Sequence, residues 1–323
     1  MRIIKEDHLG PISRPIPPIE ESTFADAITV TTTEAGGLVY AAKVKSDWTI
    51  VSVPHGGYLM SIASEAILQY FRIKHPTLNQ PDLITFHVEF LSKADVGDAT
   101  VSIQPLKIGR QFSVVRVNVS QRDETMQTEA VRLEALVTQG NIAQEVQGKG
   151  INLATKGLLD GRLIPTRDKC EKFEADPRLR IQRPALFKLE FYLPEGSNSL
   201  CASPTHGPGV REQWVRWAPG VGSGFSISSL AFVADAFRPL PEAYGIHGWF
   251  PTLSYGLEVK RAPPVGGWTW LFLRIEMGLC IGGRHDYTIV IADEQHEVVA
   301  ISRHTTLIFA NAGNGNKPRA TKV

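Results

Sequence analysis

Two segments of the chain are apolar around nearly their whole circumference when drawn as helices. The first, PHGGYLMSIASEAILQYF (54–71), carries Glu65 as its only charge, and the second, FSISSLAFVADAF (225–237), carries only Asp235. A surface helix would show a polar face recurring every 3.6 residues, and neither segment does. Both segments are therefore predicted to be buried helices.

Each predicted helix is followed by segments with the β-branched content and the bounding polar turns of strands. These segments cover 83–94, 99–109, 110–123 and 127–139 in the first half, and 251–262, 268–283, 284–295 and 298–310 in the second. The halves match best where KIGRQFSVVRVNV and CIGGRHDYTIVIA share Ile-Gly, then Arg and an apolar alternation. The chain is predicted to be a tandem repeat with an α+β fold, in which each antiparallel sheet wraps around a helix and Glu65 stands opposite Asp235.

Composition divides the chain further. Residues 143–205 mix charge with proline, which indicates a connector with some structure of its own, because an uninterrupted loop of that length is unusual. The predicted parts are an N-terminal extension (1–21), an N-terminal repeat (22–142), the connector (143–205), a C-terminal repeat (206–310) and a flexible tail (311–323).

Charge and composition exclude several classes of protein. The 323 residues include 34 basic and 33 acidic side chains, so a net charge of +1 provides no field for nucleic acid or an anionic membrane. No segment has the apolar length of a membrane span or a signal peptide. The expected location is the cytoplasm, with the peroxisome left open, since the C-terminal Thr321-Lys322-Val323 only faintly matches a peroxisomal signal.

Common catalytic and metal-binding motifs are also missing from the sequence. Cys170, Cys201 and Cys280 show no CxxC spacing, and the histidines no HExxH spacing. A GxSxG elbow and a Walker loop are absent. The sequence predicts no metal and no cofactor.

Several short motifs do resemble a known family. PHGGYLMSIA, FHVEFLSKADVGD, VADAF, PTLSYGLEV and VVAISRH look like the double hotdog acyl-CoA thioesterases, including their fungal thioesterase-like members. The resemblance covers about residues 22–140 and 211–310. It implies two fused hotdog repeats with their sheets side by side, a homodimer, and acyl thioesters of coenzyme A as substrates.

The resemblance also implies a hydrolytic site in the C-terminal repeat. Asp235 of VADAF matches the family's helix acid, and Thr252 of PTLSYG matches its strand threonine. The third position falls on His304, where the family pattern has Gln. A neutral imidazole still donates one hydrogen bond and accepts another, so it can orient water. Strand alternation puts His304 in phase with the small residues Ala300 and Ser302.

Two further candidates lie in the first predicted helix. His55, Gly56 and Gly57 stand at its start, where unpaired N–H groups and the positive end of the helix dipole can polarise a carbonyl. Glu65 is a possible second acid. The structural alternatives are that HGG only provides a tight start to the helix, and that the lone acids are satisfied by backbone donors.

The sequence therefore predicts an acyl thioesterase that uses water activated by Asp235, acting on an acyl-CoA or a carrier-bound, polyketide-like acyl chain. An Asp and His pair also suits proton transfer, so dehydration, isomerisation or cyclisation of a polyketide-like intermediate in fungal secondary metabolism remains an alternative. A non-catalytic acyl-binding protein is the third possibility.

Overall fold

The computed structural model describes residues 3–5, 21–34, 36–123, 127–147, 151, 153, 164–198 and 202–310. The predicted tail, Cys201 and nearly all of the predicted N-terminal extension lie outside the described residues. Within these ranges, none of the helices has the length and apolar character needed to cross a bilayer.

Eighteen strands and five α-helices form the described part of the chain. The strands are β1 (Ile3–Lys5), β2 (Val30–Thr32), β3 (Val39–Val44), β4 (Thr49–Ile50), β5 (Val53–Pro54), β6 (Asp82–Phe90), β7 (Gly97–Lys107), β8 (Ser113–Asp123), β9 (Thr128–Gly140), β10 (Cys170–Glu174), β11 (Leu189–Pro194), β12 (Val210–Trp217), β13 (Gly248–Trp249), β14 (Thr252–Val259), β15 (Leu271–Met277), β16 (Arg284–Ala292), β17 (Val298–Leu307) and β18 (Phe309–Ala310). The helices are α1 (Phe24–Ala27), α2 (Gly56–Lys74), α3 (Ile142–Gln147), α4 (Leu179–Gln182) and α5 (Ile227–Asp235).

One continuous sheet joins the two halves of the chain. Its fourteen strands run in the order β1-β10-β11-β12-β15-β16-β17-β14-β6-β9-β8-β7-β3-β2, with β14 and β6 hydrogen-bonded at the junction. From that junction outward, the C-terminal half runs β14, β17, β16 and β15. The N-terminal half runs β6, β9, β8 and β7, in matching positions. The two segments that match in sequence, β8 and β16, thus occupy equivalent places, and the predicted tandem repeat is confirmed.

The sheet extends beyond the strands predicted for the second half. Strands β10 and β11 fall within residues 143–205, and they pair with each other and, through β12, with the C-terminal half. Residues 143–205 therefore contribute two strands to the sheet, whereas the division of the chain into domains stays a prediction.

The two long helices lie on the inner face of the sheet and have different lengths. Helix α2 has 19 residues and begins after Pro54-His55, and α5 has nine. Helix α5 starts with a capping box in which the Ser226 and Ser229 side chains each accept a hydrogen bond from the other's backbone N–H. Both helices are buried along nearly their whole length, as the apolar pattern predicts.

The first turn of α2 packs directly against the last turn of α5. A Cβ atom placed on Gly57 would lie 2.3 Å from the Ala231 carbonyl oxygen and 2.9 Å from the Asp235 Cβ atom. Contacts that short do not occur between real atoms, so the helices approach this closely only because residue 57 has no side chain.

Replacing Gly57 with alanine should therefore push the helices apart. We expect Gly57→Ala to lower the free energy of unfolding by about 1–3 kcal/mol or more, the usual cost of an overpacked core. Urea denaturation measures the change. Gly256→Ala is the control, because the nearest atom to its added Cβ would be the His87 Nδ1 at an ordinary 3.4 Å. An equal loss in both variants would show that the helix contact is not the cause.

Candidate active site

A cavity of about 510 Å³ opens where the two halves meet. Its walls come from the β4–β5 turn, the start of α2, the end of β6 and the chain after α5. The lining residues that bear on the chemistry are His55, Gly56, Asp235, Thr252, Tyr287, His304 and Thr306. Most of the remaining wall is apolar, with side chains such as Leu59, Phe90, Phe237, Trp249 and Phe250.

Asp235 ends α5 and points toward the start of α2. Its Oδ2 atom accepts a hydrogen bond of 2.8 Å from the backbone N–H of Gly57. The side chain is 17% exposed, so the carboxylate is held by the protein and still reachable from the cavity. The N-terminus of a helix favours a negative charge, which is why a carboxylate is stable in this largely apolar setting.

His55 contacts Asp235 through both ring nitrogens. Its Nε2 atom lies 3.1 Å from the Asp235 backbone oxygen, and its Nδ1 atom lies 3.4 Å from Oδ2. A carbonyl oxygen only accepts, so Nε2 carries a hydrogen in this arrangement. In the neutral ring, Nδ1 is then an acceptor beside another acceptor. A proton that reaches the pair would be shared between Nδ1 and the carboxylate.

His304 faces the other carboxylate oxygen. Its Nε2 atom lies 2.9 Å from the Ser302 hydroxyl, which donates a 2.8 Å hydrogen bond to the Gly256 carbonyl. Because Ser302 has a single hydrogen to donate, the hydrogen between it and His304 belongs to Nε2. The free lone pair on Nδ1 therefore faces Asp235, with 3.8 Å between Nδ1 and Oδ1.

Burial sets the charge of His304. The ring is 2% exposed and packs against Tyr255, with 4.1 Å between the ring centroids. Burial lowers the pKa of the imidazole to about 4, although the nearby Asp235 opposes this shift. His304 is thus neutral at physiological pH, with an acceptor turned toward Asp235.

Thr252 and Gly56 complete the predicted group. Thr252 lines the cavity at a register irregularity in β14, and it stands opposite Thr306 of β17. The N–H of Gly56 has no hydrogen bond to any described residue, whereas that of Gly57 already donates to Asp235. Gly56 therefore provides an amide without a described partner at the start of α2.

Glu65 lies apart from this group. It is half-buried in the middle of α2, outside the cavity lining, and accepts a 3.3 Å hydrogen bond from Gln69. Burial raises the pKa of Glu65, and the Gln69 hydrogen bond partly offsets this. A register irregularity near the start of both β6 and β14 aligns the two halves, and it places Val137 of β9 where the second half has His304. Glu65 therefore has no corresponding imidazole.

The roles of several residues in the site were not predicted from the sequence. Ser302 orients His304, while Tyr287 and Thr306 lie in the cavity wall. Strand alternation was a usable signal for Thr306, because it shares the inner face with His304. The described residues contain no group of three or more His, Cys, Asp or Glu side chains arranged to hold a metal ion.

Comparison with known proteins assigns the family. The model of the acyl-CoA thioesterase N-terminal domain matches residues 44–140, and that of the C-terminal domain matches residues 168–308. The chain belongs to the acyl-CoA thioesterase family. Membership in this family makes it an acyl-CoA thioesterase-like hydrolase, as the motifs predict.

Individual relatives agree with this assignment. The chain is 25% identical to the thioesterase-like protein TwmA of Talaromyces wortmannii, over 88% of this chain and 92% of that protein. Two solved structures share its fold with TM-scores of 0.71. One, assigned as a thioesterase II from Thermobifida fusca YX, is 18% identical and covers 90% of this chain and 98% of its own. The other, a hot dog fold protein from Alicyclobacillus acidocaldarius, is 16% identical and covers 89% and 98%. The double hotdog fold of this family member is therefore confirmed.

The depressed pKa of His304 should make stability depend on pH. An unfolded chain takes up a proton near pH 6.5 and the folded protein only near pH 4, so the unfolded state binds more protons between these values. The free energy of unfolding should fall as the pH is lowered through this range, by up to about 2 kcal/mol between pH 7 and pH 5.

Urea denaturation at the two pH values, on the parent and on His304→Gln, measures this contribution. We expect the variant to lose less stability on acidification than the parent. His87→Gln is the control, since His87 is exposed on the outer face of β6. Identical acid sensitivity in all three proteins would contradict a neutral, buried His304.

Proposed function

We propose that this family member hydrolyses an acyl thioester with a water molecule activated by Asp235. The observation that carries the proposal is the position of the Asp235 carboxylate. It is fixed by the Gly57 N–H, reachable from an apolar cavity, and faced by the acceptor nitrogen of His304. The family assignment and the relative TwmA support the reaction class.

The water would be held by two acceptors. Oδ1 of Asp235 and Nδ1 of His304 are 3.8 Å apart, so one water molecule beside them can donate a hydrogen to each. Its oxygen lone pairs then point away from both groups, toward a thioester carbonyl in the cavity. When the water attacks, Asp235 takes the proton as general base.

His55 and Thr252 would assist this step. The Nδ1 atom of His55 lies 3.4 Å from Oδ2 and can share the proton that Asp235 receives. Thr252 lines the cavity close to the same group, where its hydroxyl can help to orient the water. In this proposal His304 orients water, as the family's Gln would.

The oxygen of the attacked carbonyl becomes negative and needs a donor. The free N–H of Gly56, at the positive end of the α2 dipole, is the donor that the site offers. Collapse of the tetrahedral intermediate expels a thiolate. Because a simple thiol has a pKa of about 8.5, this leaving group needs little acid assistance. The products are a carboxylic acid and a free thiol.

The walls of the cavity suggest how the substrate lies. The apolar side chains fit an acyl chain, while Lys93 and Arg183 bring positive charge to the lining. Arg183 is paired at 3.2 Å with the buried Glu242, whereas the ion pair of Lys93 with Asp95 is longer, at 3.6 Å, and exposed. Lys93 can therefore leave its partner more easily than Arg183. Phosphates of coenzyme A or of a carrier-bound phosphopantetheine share the chemistry that would contact these side chains. The proposal also includes the assembly of two copies of the protein into a homodimer, which light scattering tests.

Asp235→Asn tests the proposed base while it keeps the shape of the side chain. We expect kcat for release of free thiol from a panel of acyl-CoA esters to fall by about 10²–10⁴, the usual contribution of a general base. Asp286→Asn is the matched control, because Asp286 is exposed on the other face of the same sheet. Full activity of Asp235→Asn would show that Asp235 is not the base.

His304→Gln separates hydrolysis from the alternative reaction class. A neutral imidazole that faces a carboxylate also suits proton transfer, which a dehydration, isomerisation or cyclisation would require. Greater thiol release by His304→Gln than by the parent would indicate a hydrolase with an altered water site. If neither protein releases thiol from any ester, the site performs the other chemistry or only binds acyl groups.

A further inference from the structure

Three buried residues beside the proposed catalytic group have polar atoms without partners. They are Thr306 of β17 and Tyr287 and His285 of β16, here called the polar row, and each is at most 3% exposed. The Thr306 Oγ1, the Tyr287 hydroxyl and both ring nitrogens of His285 form no hydrogen bond with any described residue. Buried polar atoms are nearly always paired, so four such atoms in one patch require an explanation.

The polar row is continuous with the proposed catalytic group. Tyr287 pairs in register with His304, and His285 pairs with Thr306, so all four side chains lie on the inner face of the sheet. Tyr287 and Thr306 line the cavity, and His285 packs edge-on against Tyr287 with 4.8 Å between ring centroids. Two of the three residues of the polar row therefore lie in the wall of the cavity that holds Asp235, and His285 lies behind that wall.

The chemistry of the polar row is that of neutral donors and acceptors. Burial raises the pKa of the Tyr287 hydroxyl, and the nearby Leu240 backbone partly offsets this rise. The contact between Tyr287 and Leu240 does not have the geometry of a full hydrogen bond. Burial likewise lowers the pKa of His285. Tyr287 thus keeps its proton and His285 lacks a charge, and a charged ligand group has no counterion here.

We propose that the polar row binds an oxygen atom on the acyl chain, so that the substrate is a 3-oxygenated or similarly oxygenated acyl thioester and not a plain saturated one. This inference rests on the proposed thioesterase function, whose substrate it specifies. A hydroxyl or ketone oxygen can accept from Tyr287 and exchange a hydrogen bond with Thr306. A 120° rotation of Thr306 about χ1 would move the hydroxyl to a neighbouring staggered position, from which it could reach the acyl chain.

The spacing fits an oxygen close to the thioester. Thr306 is two residues from His304 along β17, which is about 6.7 Å at the usual rise of a strand. That distance spans a short run of carbon–carbon bonds from the attacked carbonyl, plus one hydrogen bond. An oxygen on the third carbon, or a few carbons beyond it, would therefore meet Tyr287 and Thr306 while the carbonyl lies beside Asp235.

Comparing acyl-CoA esters tests the inference directly. We expect kcat/KM for 3-hydroxyhexanoyl-CoA or 3-oxohexanoyl-CoA to exceed that for hexanoyl-CoA by about tenfold or more, because the plain chain leaves the hydroxyls unpaired. Thr306→Val and Tyr287→Phe should each reduce this ratio, and the double variant should bring it near one. Thr305→Val is the matched control, because Thr305 is the neighbouring residue and lies in the groove on the outer face of the sheet. The ratio of the kcat/KM values for oxygenated and plain esters should be the same in this variant as in the parent.

Binding of inert analogues keeps this test separate from the proposed function. In the thioethers S-hexyl-CoA and S-(3-hydroxyhexyl)-CoA, a methylene replaces the carbonyl, so no hydrolysis can occur. Tighter binding of the hydroxylated thioether by the parent, lost in the double variant, would support the polar row even if no ester is hydrolysed. Hydrolysis of all esters with equal kcat/KM would support the thioesterase function and overturn the polar row.

Stability provides an independent check on the premise. If the Thr306 hydroxyl has no partner in the free protein, the isosteric Thr306→Val should leave the urea midpoint unchanged or raise it. A lower midpoint would show that the hydroxyl is already satisfied inside the protein, and it would remove the basis for the inference.

Discussion

The hydrogen bond from the Gly57 amide to the Asp235 carboxylate joins the first turn of α2 to the last turn of α5. It depends on a glycine, because any Cβ at residue 57 would collide with the backbone of α5. The same bond unites the two repeats, orients the carboxylate and places it at the cavity. One contact between the halves thus accounts for the packing of the central helices and for the geometry of the candidate site.

The two halves of the duplicated chain differ around the acids of their central helices. The two acids, Glu65 and Asp235, occupy comparable helices, yet their neighbours differ. Asp235 has imidazoles on two sides, whereas Glu65 has Gln69, and Val137 stands where the second half has His304. Because Glu65 lies outside the cavity lining and no imidazole faces it as His304 faces Asp235, we infer that Glu65 is a packed remnant of the repeat.

Local patterns in the sequence were sufficient for the two central helices, eight of the strands and the order of the repeats, because apolar periodicity survives in each segment. Asp235, Thr252 and His304 were found through family motifs, and the structure brings all three to one cavity. The pairing of Gly57 with Asp235 could not be predicted, since it depends on the crossing of two helices and joins residues that are 178 positions apart in the chain. Tyr287 and Thr306 were missed because an ordinary strand pattern hides which polar residues face inward without partners. Strands β10 and β11 were missed since their segment is rich in charge.

The unequal lengths of the two central helices have an architectural consequence. Helix α5 is ten residues shorter than α2, nine against 19, which corresponds to about 15 Å of helix. Beyond Asp235 the chain continues through Phe237 and a short 3-10 helix (Leu240–Tyr244) in place of further turns of α-helix, and the cavity occupies this place. In a symmetric dimer of identical single-repeat chains, the two central helices must have the same length. Fusion into one chain removes that constraint, so one copy can keep its full helix as scaffold while the other gives up volume to a ligand.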